Sequence, residues 1–326
     1  MLTTGLIGGS VAFLVAGSLV PLLVRFAVGC NLLDVPNIRS SHEVPTPRLG
    51  GVAIIVGTWV GALVLRPEGV WPLLVAASLI WAVGLADDFG SLHFGAKALA
   101  QTLVAAGLIF SYEPPLLSEA PWLLKPAVLG VGVLWIVALS NAFNFMDGID
   151  GIIGGVALVN MVFLALLAGG GALAPLAGAT AGFLIWNLNP ASIFLGDSGS
   201  YFLGFFLAAT ALYAPFPGGV WNPLVFLACI LVFTPLLFDT AYTLLRRLRA
   251  GKNVFSAHRE HIYQQITPAT GMHRRTSNLY YGASVLAGLA ALLVAGGGAL
   301  LLAGLLLAAV CCLGLLTLPK VVRSGQ

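Results

Sequence analysis

The stretch Val70-Trp-Pro-Leu-Leu-Val-Ala-Ala-Ser-Leu-Ile-Trp-Ala-Val-Gly-Leu-Ala-Asp87-Asp88-Phe-Gly-Ser91 decides how this chain folds. From Val70 to Ala86 it runs 17 residues without a charge, about the shortest length that lets a helix cross a hydrocarbon core. Two carboxylates then stand side by side. They face the negative end of the helix dipole and each other, which disfavours leaving both charged without a cation nearby. Lys97, at the start of the next apolar run, is placed to supply part of that charge. One stretch thus holds a membrane span and, at its edge, a polar group kept for a purpose.

The pattern extends along the chain. Of the 326 residues, 59% are hydrophobic and 8% charged, with a mean hydropathy of +0.99, whereas about a quarter of residues are charged in an ordinary soluble protein. The 12 acids, 15 bases and five histidines are too few to coat such a chain in water, which excludes a soluble globular domain. Apolar runs predict spans near 5–28, 49–65, 70–86, 96–111, 123–142, 152–167, 172–188, 201–214, 223–245, 279–294 and 299–318. The last two, separated only by the turn at Ala295-Gly-Gly-Gly298, reduce the count from eleven to ten if they join. The first, though interrupted by Pro21, lacks an obvious cleavage site and reads as a retained helix. The fold class is all-α and polytopic, and no loop reaches the roughly 40 residues below which a domain usually needs extra staples. A single transmembrane domain is therefore expected over 1–326.

Orientation follows from the bases. With the loop after the first span in the cytoplasm, all but Arg66 and Lys125 of the 15 bases fall inside, as the positive-inside tendency requires. This puts the N-terminus outside and the C-terminus in the cytoplasm. All five histidines, Arg39 and His42 among the inside residues, and all but Glu68, Glu113 and Glu119 of the acids fall inside too, although the tendency makes no demand on acids. The four cysteines, Cys30, Cys229, Cys311 and Cys312, show neither a disulfide framework nor a zinc spacing.

Five inside segments carry the chemistry. The loop from Asn31 to Gly51, with Asp34, Arg48 and several prolines, is either a stiff connector whose bases meet lipid headgroups or part of a site. Asp87 and Asp88 end the third span. Asn141, Asn144, Asp147 and Asp150 recur every third residue, with a glycine after each aspartate, so the chain turns and presents amides and carboxylates to one point. Amides suit a nucleobase or sugar, and carboxylates a ribose hydroxyl or a hard metal ion. In Phe194-Leu-Gly-Asp197-Ser-Gly-Ser200, Asp197 and the serines are either caps or, with free amides at a helix start, an anion site beside a Mg²⁺ ligand. Arg246, Arg247, Arg249 and Lys252 fit a membrane-surface anchor. His258-Arg-Glu-His261 fits a site, with both histidines on one face if helical. Together these groups suit Mg²⁺-assisted transfer of a phosphate-linked group, with a lipid as acceptor or product.

The motifs Pro45-Thr-Pro-Arg-Leu-Gly-Gly51, Asp87-Asp-Phe-Gly-Ser91, Asn141-Ala-Phe-Asn-Phe-Met-Asp-Gly-Ile-Asp-Gly151, Phe194-Leu-Gly-Asp-Ser-Gly-Ser200 and Ala257-His-Arg-Glu-His-Ile-Tyr-Gln264 stand in the order found in the polyprenyl-phosphate N-acetylhexosamine-1-phosphate transferases of the glycosyltransferase family 4 type. The chain resembles that superfamily from about Asp34 to Gln264, and Asp239-Thr240 followed by Arg247 resembles the end of its ninth span. The resemblance implies a multi-pass bacterial inner-membrane enzyme that moves an N-acetylhexosamine 1-phosphate from a UDP-sugar to undecaprenyl phosphate, releasing UMP. It implies Mg²⁺, with Mn²⁺ as a substitute, held by Asp197 with Asp87 as a further ligand. Asp87 or Asp88 would act on the lipid phosphate as base or orienting group. Asn141, Asn144, Asp147 and Asp150 would line the nucleotide site, with Phe194 stacked on uracil. Lys97, Arg48, His258, Arg259 and His261 would contact substrate, the last three at the diphosphate or sugar phosphate. The partners implied are these two substrates and membrane lipid, with a homodimer as the one protein assembly and no nucleic acid.

His258-Arg-Glu-His261 departs from the run of histidines in the peptidoglycan enzyme of the superfamily and looks more like the initiating transferases of O-antigen, lipopolysaccharide and other surface polysaccharides. N-acetylglucosamine or a modified or 6-deoxy relative is the expected sugar, and phospho-N-acetylmuramoyl-pentapeptide transfer, a step of cell wall biogenesis, is the alternative. A transporter using buried acids is a third reading. It needs acids at mid-span, where Asp239 alone comes near.

Overall fold

The computed structural model describes residues 2–36, 44–169, 171–213, 221–254, 256, 258–270 and 272–324. Arg39 and His42 lie outside the described residues. Apart from a two-residue ladder of β1 (Leu33–Asp34) with β2 (Thr46–Pro47), the regular structure is helical. The helices are α1 (Leu2–Gly29), α2 (Gly50–Leu65), α3 (Val70–Gly90), α4 (Phe94–Ser111), α5 (Pro115–Ser118), α6 (Lys125–Met146) and α7 (Ile152–Ala168). They continue as α8 (Ala174–Asn187), α9 (Gly196–Tyr213), α10 (Pro223–Leu231), α11 (Thr234–Arg249), α12 (Ile262–Thr270), α13 (His273–Gly296) and α14 (Gly298–Ser324).

Each apolar run of the sequence is helical, but not every one is long enough to be a span by itself. Among the described residues six helices, α1, α3, α4, α6, α13 and α14, have the length and apolarity to cross a membrane, or seven if α10 and α11, bent by 67° at their junction, count as one. Helices α2 and α7 have 16 and 17 residues and α8 only 14. Against the ten or eleven spans expected from the apolar runs, six or seven helices of the described residues meet both criteria by themselves, and the all-α polytopic class stands. The physical reason is visible in α9, which is buried continuously from Ser198 to Ala209. A helix apolar on all sides is one enclosed by other helices, and composition cannot separate it from one enclosed by lipid. Helix α9 packs against α3, α6 and α2, while α1 lies along α8 and α2. Outer helices keep large apolar side chains exposed, as with Leu99, Leu103 and Phe110 of α4, which water would disfavour and lipid does not.

Several boundaries extend past the apolar runs into polar residues. Helix α6 continues to Met146, α9 begins at Gly196 and α13 begins at His273. These extensions bring the ends of α3, α6, α9 and α11 and the start of α13 together with the loops that hold the five motifs.

Candidate active site

The site begins with a seam between two loops. The β1–β2 ladder pairs Leu33 with Pro47 and Asp34 with Thr46, and Arg48 pairs with the Asp34 carboxylate. Phe194 N–H donates to Pro47 O at 2.8 Å, and Gly50 and Gly51 N–H donate to Phe194 and Leu195 O at 2.9 Å. The backbones can close in this way only without side chains between them. A Cβ on Gly51 would lie 2.4 Å from Gly199 N, and one on Gly84 of α3 would lie 2.6 Å from Ser198 Cα. Phe194 is therefore held by its backbone, with its ring half-buried.

That approach seats the end of α3 on the start of α9, and the two adjacent aspartates then diverge. Asp88 accepts Asp197 N–H through Oδ1 at 2.8 Å and Ser198 N–H through Oδ2 at 3.0 Å. The carboxylate of Asp88 thus occupies the positive end of α9. The free amides expected there are not free, and no substrate anion needs to be invoked for them. Asp87 points elsewhere. Its Oδ2 accepts from Lys97 Nζ at 2.6 Å and its Oδ1 accepts Leu92 N–H at 2.5 Å. Lys97 Nζ also lies 3.5 Å from Asp197 Oδ2 and 5.8 Å above the Tyr201 ring. One ammonium therefore bridges two carboxylates whose own charges would otherwise repel.

The segment after α6 closes a second side. Asn141 Nδ2 donates to Gln101 Oε1 at 2.6 Å and Asn144 Nδ2 donates to Ser200 Oγ at 3.1 Å, tying α6 to α4 and α9. Asp147 follows the helix end. Burial, reinforced by the like charges of Asp197, Asp88 and Asp150, pushes its carboxyl well above the usual range. Asp150 behaves differently. Burial opposes its charge, but the hydrogen bonds from His273 and Asn189 outweigh that and hold it below the ordinary value. Asn189 Nδ2 donates to its Oδ2 at 2.7 Å, Ala191 N–H at 3.2 Å, and the His273 ring lies 3.4 Å from Oδ1. This carboxylate joins the loop after α6, the loop after α8 and the start of α13.

The third wall is the segment after α11. It is not helical through His258 to Glu260, since α12 starts at Ile262, so the helical spacing expected for the two histidines does not apply. Their rings nonetheless stack with centroids 5.0 Å apart. Burial and then the neighbouring His261 and Arg247 push His258 down to about 4. Arg246 and Arg247 do not form the surface anchor suggested by the sequence. Arg247 is nearly buried, pairs with Glu260, and donates to Asn253 O at 2.7 Å and Ser256 Oγ at 2.9 Å. Arg246 donates to Glu260 O at 2.6 Å, and Lys252 Nζ lies 3.0 Å from Glu260 Oε1. Glu260 thus gathers three cations and leaves Arg259 exposed. Tyr263 docks this wall on the second by donating its hydroxyl to Phe145 O at 3.2 Å.

Structure adds residues that the motifs did not mark as site groups, namely Tyr201, Gln101, Glu260 and Asp239. Glu260 stood inside a motif, and its isolated negative charge among bases was a usable signal; Gln101 and Tyr201 had none beyond being polar within apolar runs. Asp239, fully buried in α11, accepts from His261, Ile262, Tyr263, Thr243 and Tyr280. A divalent metal finds hard oxygen donors in Asp87 and Asp197. Among the described residues no three His, Cys, Asp or Glu side chains form a ready cage. Mg²⁺ is commonly held by one or two carboxylates with substrate phosphates and several waters, and Asp87 and Asp197 are donors of that kind. The residues fit such an ion.

The fold and site define an all-α multi-pass membrane protein with carboxylates, a bridging lysine and basic groups gathered at one end. Residues 70–214 match the model for glycosyl transferase family 4. The chain is 30% identical to an undecaprenyl-phosphate alpha-N-acetylglucosaminyl 1-phosphate transferase of Thermotoga maritima, over 78% of this chain and 79% of the relative. A probable undecaprenyl-phosphate N-acetylglucosaminyl 1-phosphate transferase of Bacillus subtilis is 28% identical over 83% and 80%. A decaprenyl-phosphate N-acetylglucosaminephosphotransferase of Mycobacterium tuberculosis is 29% identical over 85% and 84%. The chain belongs to glycosyl transferase family 4, within the polyprenyl-phosphate N-acetylhexosamine-1-phosphate transferases.

Proposed function

We propose that the chain transfers an N-acetylhexosamine 1-phosphate, that of N-acetylglucosamine or a modified or 6-deoxy relative, from a UDP-sugar to undecaprenyl phosphate. UMP is released, and the product starts a lipid-linked cell-surface glycan such as O-antigen. The membrane is the bacterial inner membrane, with the N-terminus outside and the site and C-terminus in the cytoplasm. The observation that carries the reading is the Asp87–Lys97–Asp197 cluster at the α3–α9 junction, in a chain similar over most of its length to relatives named for this transfer.

Asp197 and Asp87 would hold Mg²⁺, which when bound neutralises diphosphate charge and eases departure of the leaving phosphate. An oxygen of the lipid phosphate attacks the β-phosphorus of the donor, and the bond from that phosphorus to UMP breaks. Asp88 is committed to the α9 amides, so Asp87, held beside Asp197 by Lys97, is the aspartate that orients the lipid phosphate. Lys97 keeps Asp87 and Asp197 together against their repulsion. Arg48 and Arg259 supply permanent positive charge to phosphate oxygens. His258, neutral near pH 7 in the free protein, donates a hydrogen bond or gains a proton as the polyanion arrives. Asn141, Asn144 and Asp147 line the nucleotide side, and Asp150 holds that wall in place. One phosphoanhydride replaces another, so the reaction lies near equilibrium and added UMP reverses it.

The relatives above are named for N-acetylglucosamine donors, which does not favour the muramoyl-pentapeptide alternative. Asp239, with five donors on its carboxylate, lacks the loosely held acid that a transporter would use. Purified protein incubated with undecaprenyl phosphate, Mg²⁺ and a panel of UDP-sugars should release UMP and form the lipid product. Absence of UMP with every N-acetylhexosamine refutes the reading. Asp197→Asn should abolish turnover in a folded protein, and retained turnover removes it as the essential metal ligand.

A further inference from the structure

We infer that Asp239 is a positioning residue for this reaction, acting through His261, whose ring it orients and whose proton it places on Nδ1. The inference rests on the transferase reading above. Asp239 is fully buried in α11, and everything that reaches its carboxylate is a donor or can be one. Oδ1 accepts Ile262 N–H at 2.8 Å and Thr243 Oγ1–H at 3.2 Å. Oδ2 accepts Tyr263 N–H at 3.1 Å and the Tyr280 hydroxyl at 2.5 Å. A carboxylate serving four donors has no proton to give. The fifth contact, His261 Nδ1 at 3.2 Å from Oδ1, is therefore Nδ1–H donating.

Two consequences follow for the imidazole. The ring is fixed in plane, held at Nδ1 and flanked by His258 at 5.0 Å, Tyr263 at 5.9 Å and Phe145 at 6.3 Å between centroids. The ring is itself buried, 2% exposed, so only its Nε2 edge, opposite Nδ1, remains for a substrate to reach. With Nδ1 protonated, the ring's lone pair is on Nε2, and the Asp239 carboxylate fixes both that tautomer and the direction in which Nε2 points. This is the division of labour of an aspartate behind a histidine in acyl transfer, reached here on an unrelated fold and for a phosphate ligand. The same carboxylate caps α12 by accepting the Ile262 and Tyr263 amides, so cap and ring are set by one group.

The test separates positioning from capping. UMP release is measured on the full chain in detergent with undecaprenyl phosphate, UDP-N-acetylglucosamine and Mg²⁺, for wild type, Asp239→Asn, His261→Gln and the double variant. Each single variant should lose about tenfold to a hundredfold in kcat/KM, the factor expected for losing a hydrogen bond to a charged group. The double variant should be no slower than His261→Gln, because both act through one ring. Losses that multiply in the double variant, or an Asp239→Asn enzyme as fast as wild type, overturn the inference. Nitrogen-15 histidine NMR of wild type, with His261 assigned by its loss in His261→Gln, decides the matter if Asp239→Asn does not fold. A proton at Nδ1 is expected, and a ring protonated at Nε2 alone overturns the inference. If wild type releases no UMP with any N-acetylhexosamine, the transferase reading fails, and the same NMR signal still reports on the pair.

Discussion

Gly84→Ala tests whether the α3–α9 junction sets the site. In an exposed helix this substitution would stabilise by about 1 kcal/mol, because alanine is the better helix former. Here the new Cβ would lie 2.6 Å from Ser198 Cα and 2.7 Å from Asp197 O, both backbone atoms that cannot rotate away. Ordinary contact starts near 3.4 Å, so the two helices must part by about 0.8 Å, the difference between 3.4 and 2.6 Å. The same movement along the Asp197 N–H to Asp88 bond would lengthen it from 2.8 Å to about 3.6 Å, outside hydrogen-bond range. Overpacking costs about 1–3 kcal/mol, so the net loss of stability after the propensity gain is about 0–2 kcal/mol. Turnover should suffer more, since a 1 Å misplacement can cost about a hundredfold. UMP release and the thermal midpoint in detergent are compared with Gly107→Ala, where a Cβ on α4 meets nothing within 4 Å. Gly107→Ala should match wild type in turnover and raise the midpoint slightly, by the propensity gain alone. A Gly84→Ala enzyme within twofold of wild-type turnover, at an unchanged midpoint, would refute the reasoning.

Lys97→Met keeps the length of the stem but leaves Asp87 and Asp197 facing each other without their shared cation. Turnover should fall by at least about a hundredfold, and a variant with normal UMP release would show that the bridge is dispensable. Glu260→Gln removes the anion that gathers Arg246, Arg247 and Lys252. Limited proteolysis should then cut between Arg249 and Arg259 faster than in wild type, and an unchanged digestion rate counts against Glu260 as organiser of that wall. Acid should weaken the fold through His258. Its folded value of about 4 lies below the usual 6.5, so the folded form binds fewer protons between those values and stability rises with pH across that window. The thermal midpoint should fall from pH 6.5 towards 4, less steeply in His258→Gln; equal slopes in the two proteins would sink this assignment.

Much of the molecule is legible in one dimension. Scarcity of charge and the length of apolar runs are local properties, and the described residues of each run from 5–28 to 299–318 fall almost wholly in a helix or in a closely joined pair of helices. Polar residues crowded at the ends of such runs had to be accounted for, which is why Asp87, Asp88, Asn141, Asn144, Asp147, Asp150, Asp197 and His261 could be singled out. What those groups do was not legible. Asp87 and Asp88 are neighbours in sequence, yet successive residues on a helix point about 100° apart, so which one meets α9 depends on where α9 packs. The two partners of Asp88 lie 109 and 110 residues away. Arg246 and Arg247 look like surface bases until a turn brings Glu260 back to them, and Asp239 looks like a stray intramembrane acid until α12 and α13 deliver its donors.

The sequence by itself determined that the chain is an all-α membrane protein and which polar residues are too costly in lipid to be incidental, because transfer from water to hydrocarbon is a property of each segment alone. Only the tertiary structure decided which α-helices are enclosed by protein, which aspartate faces Lys97 and which caps α9, and which carboxylate stands behind His261. Those outcomes depend on the direction of side chains across helix contacts between residues distant in the chain, and no local pattern encodes that direction.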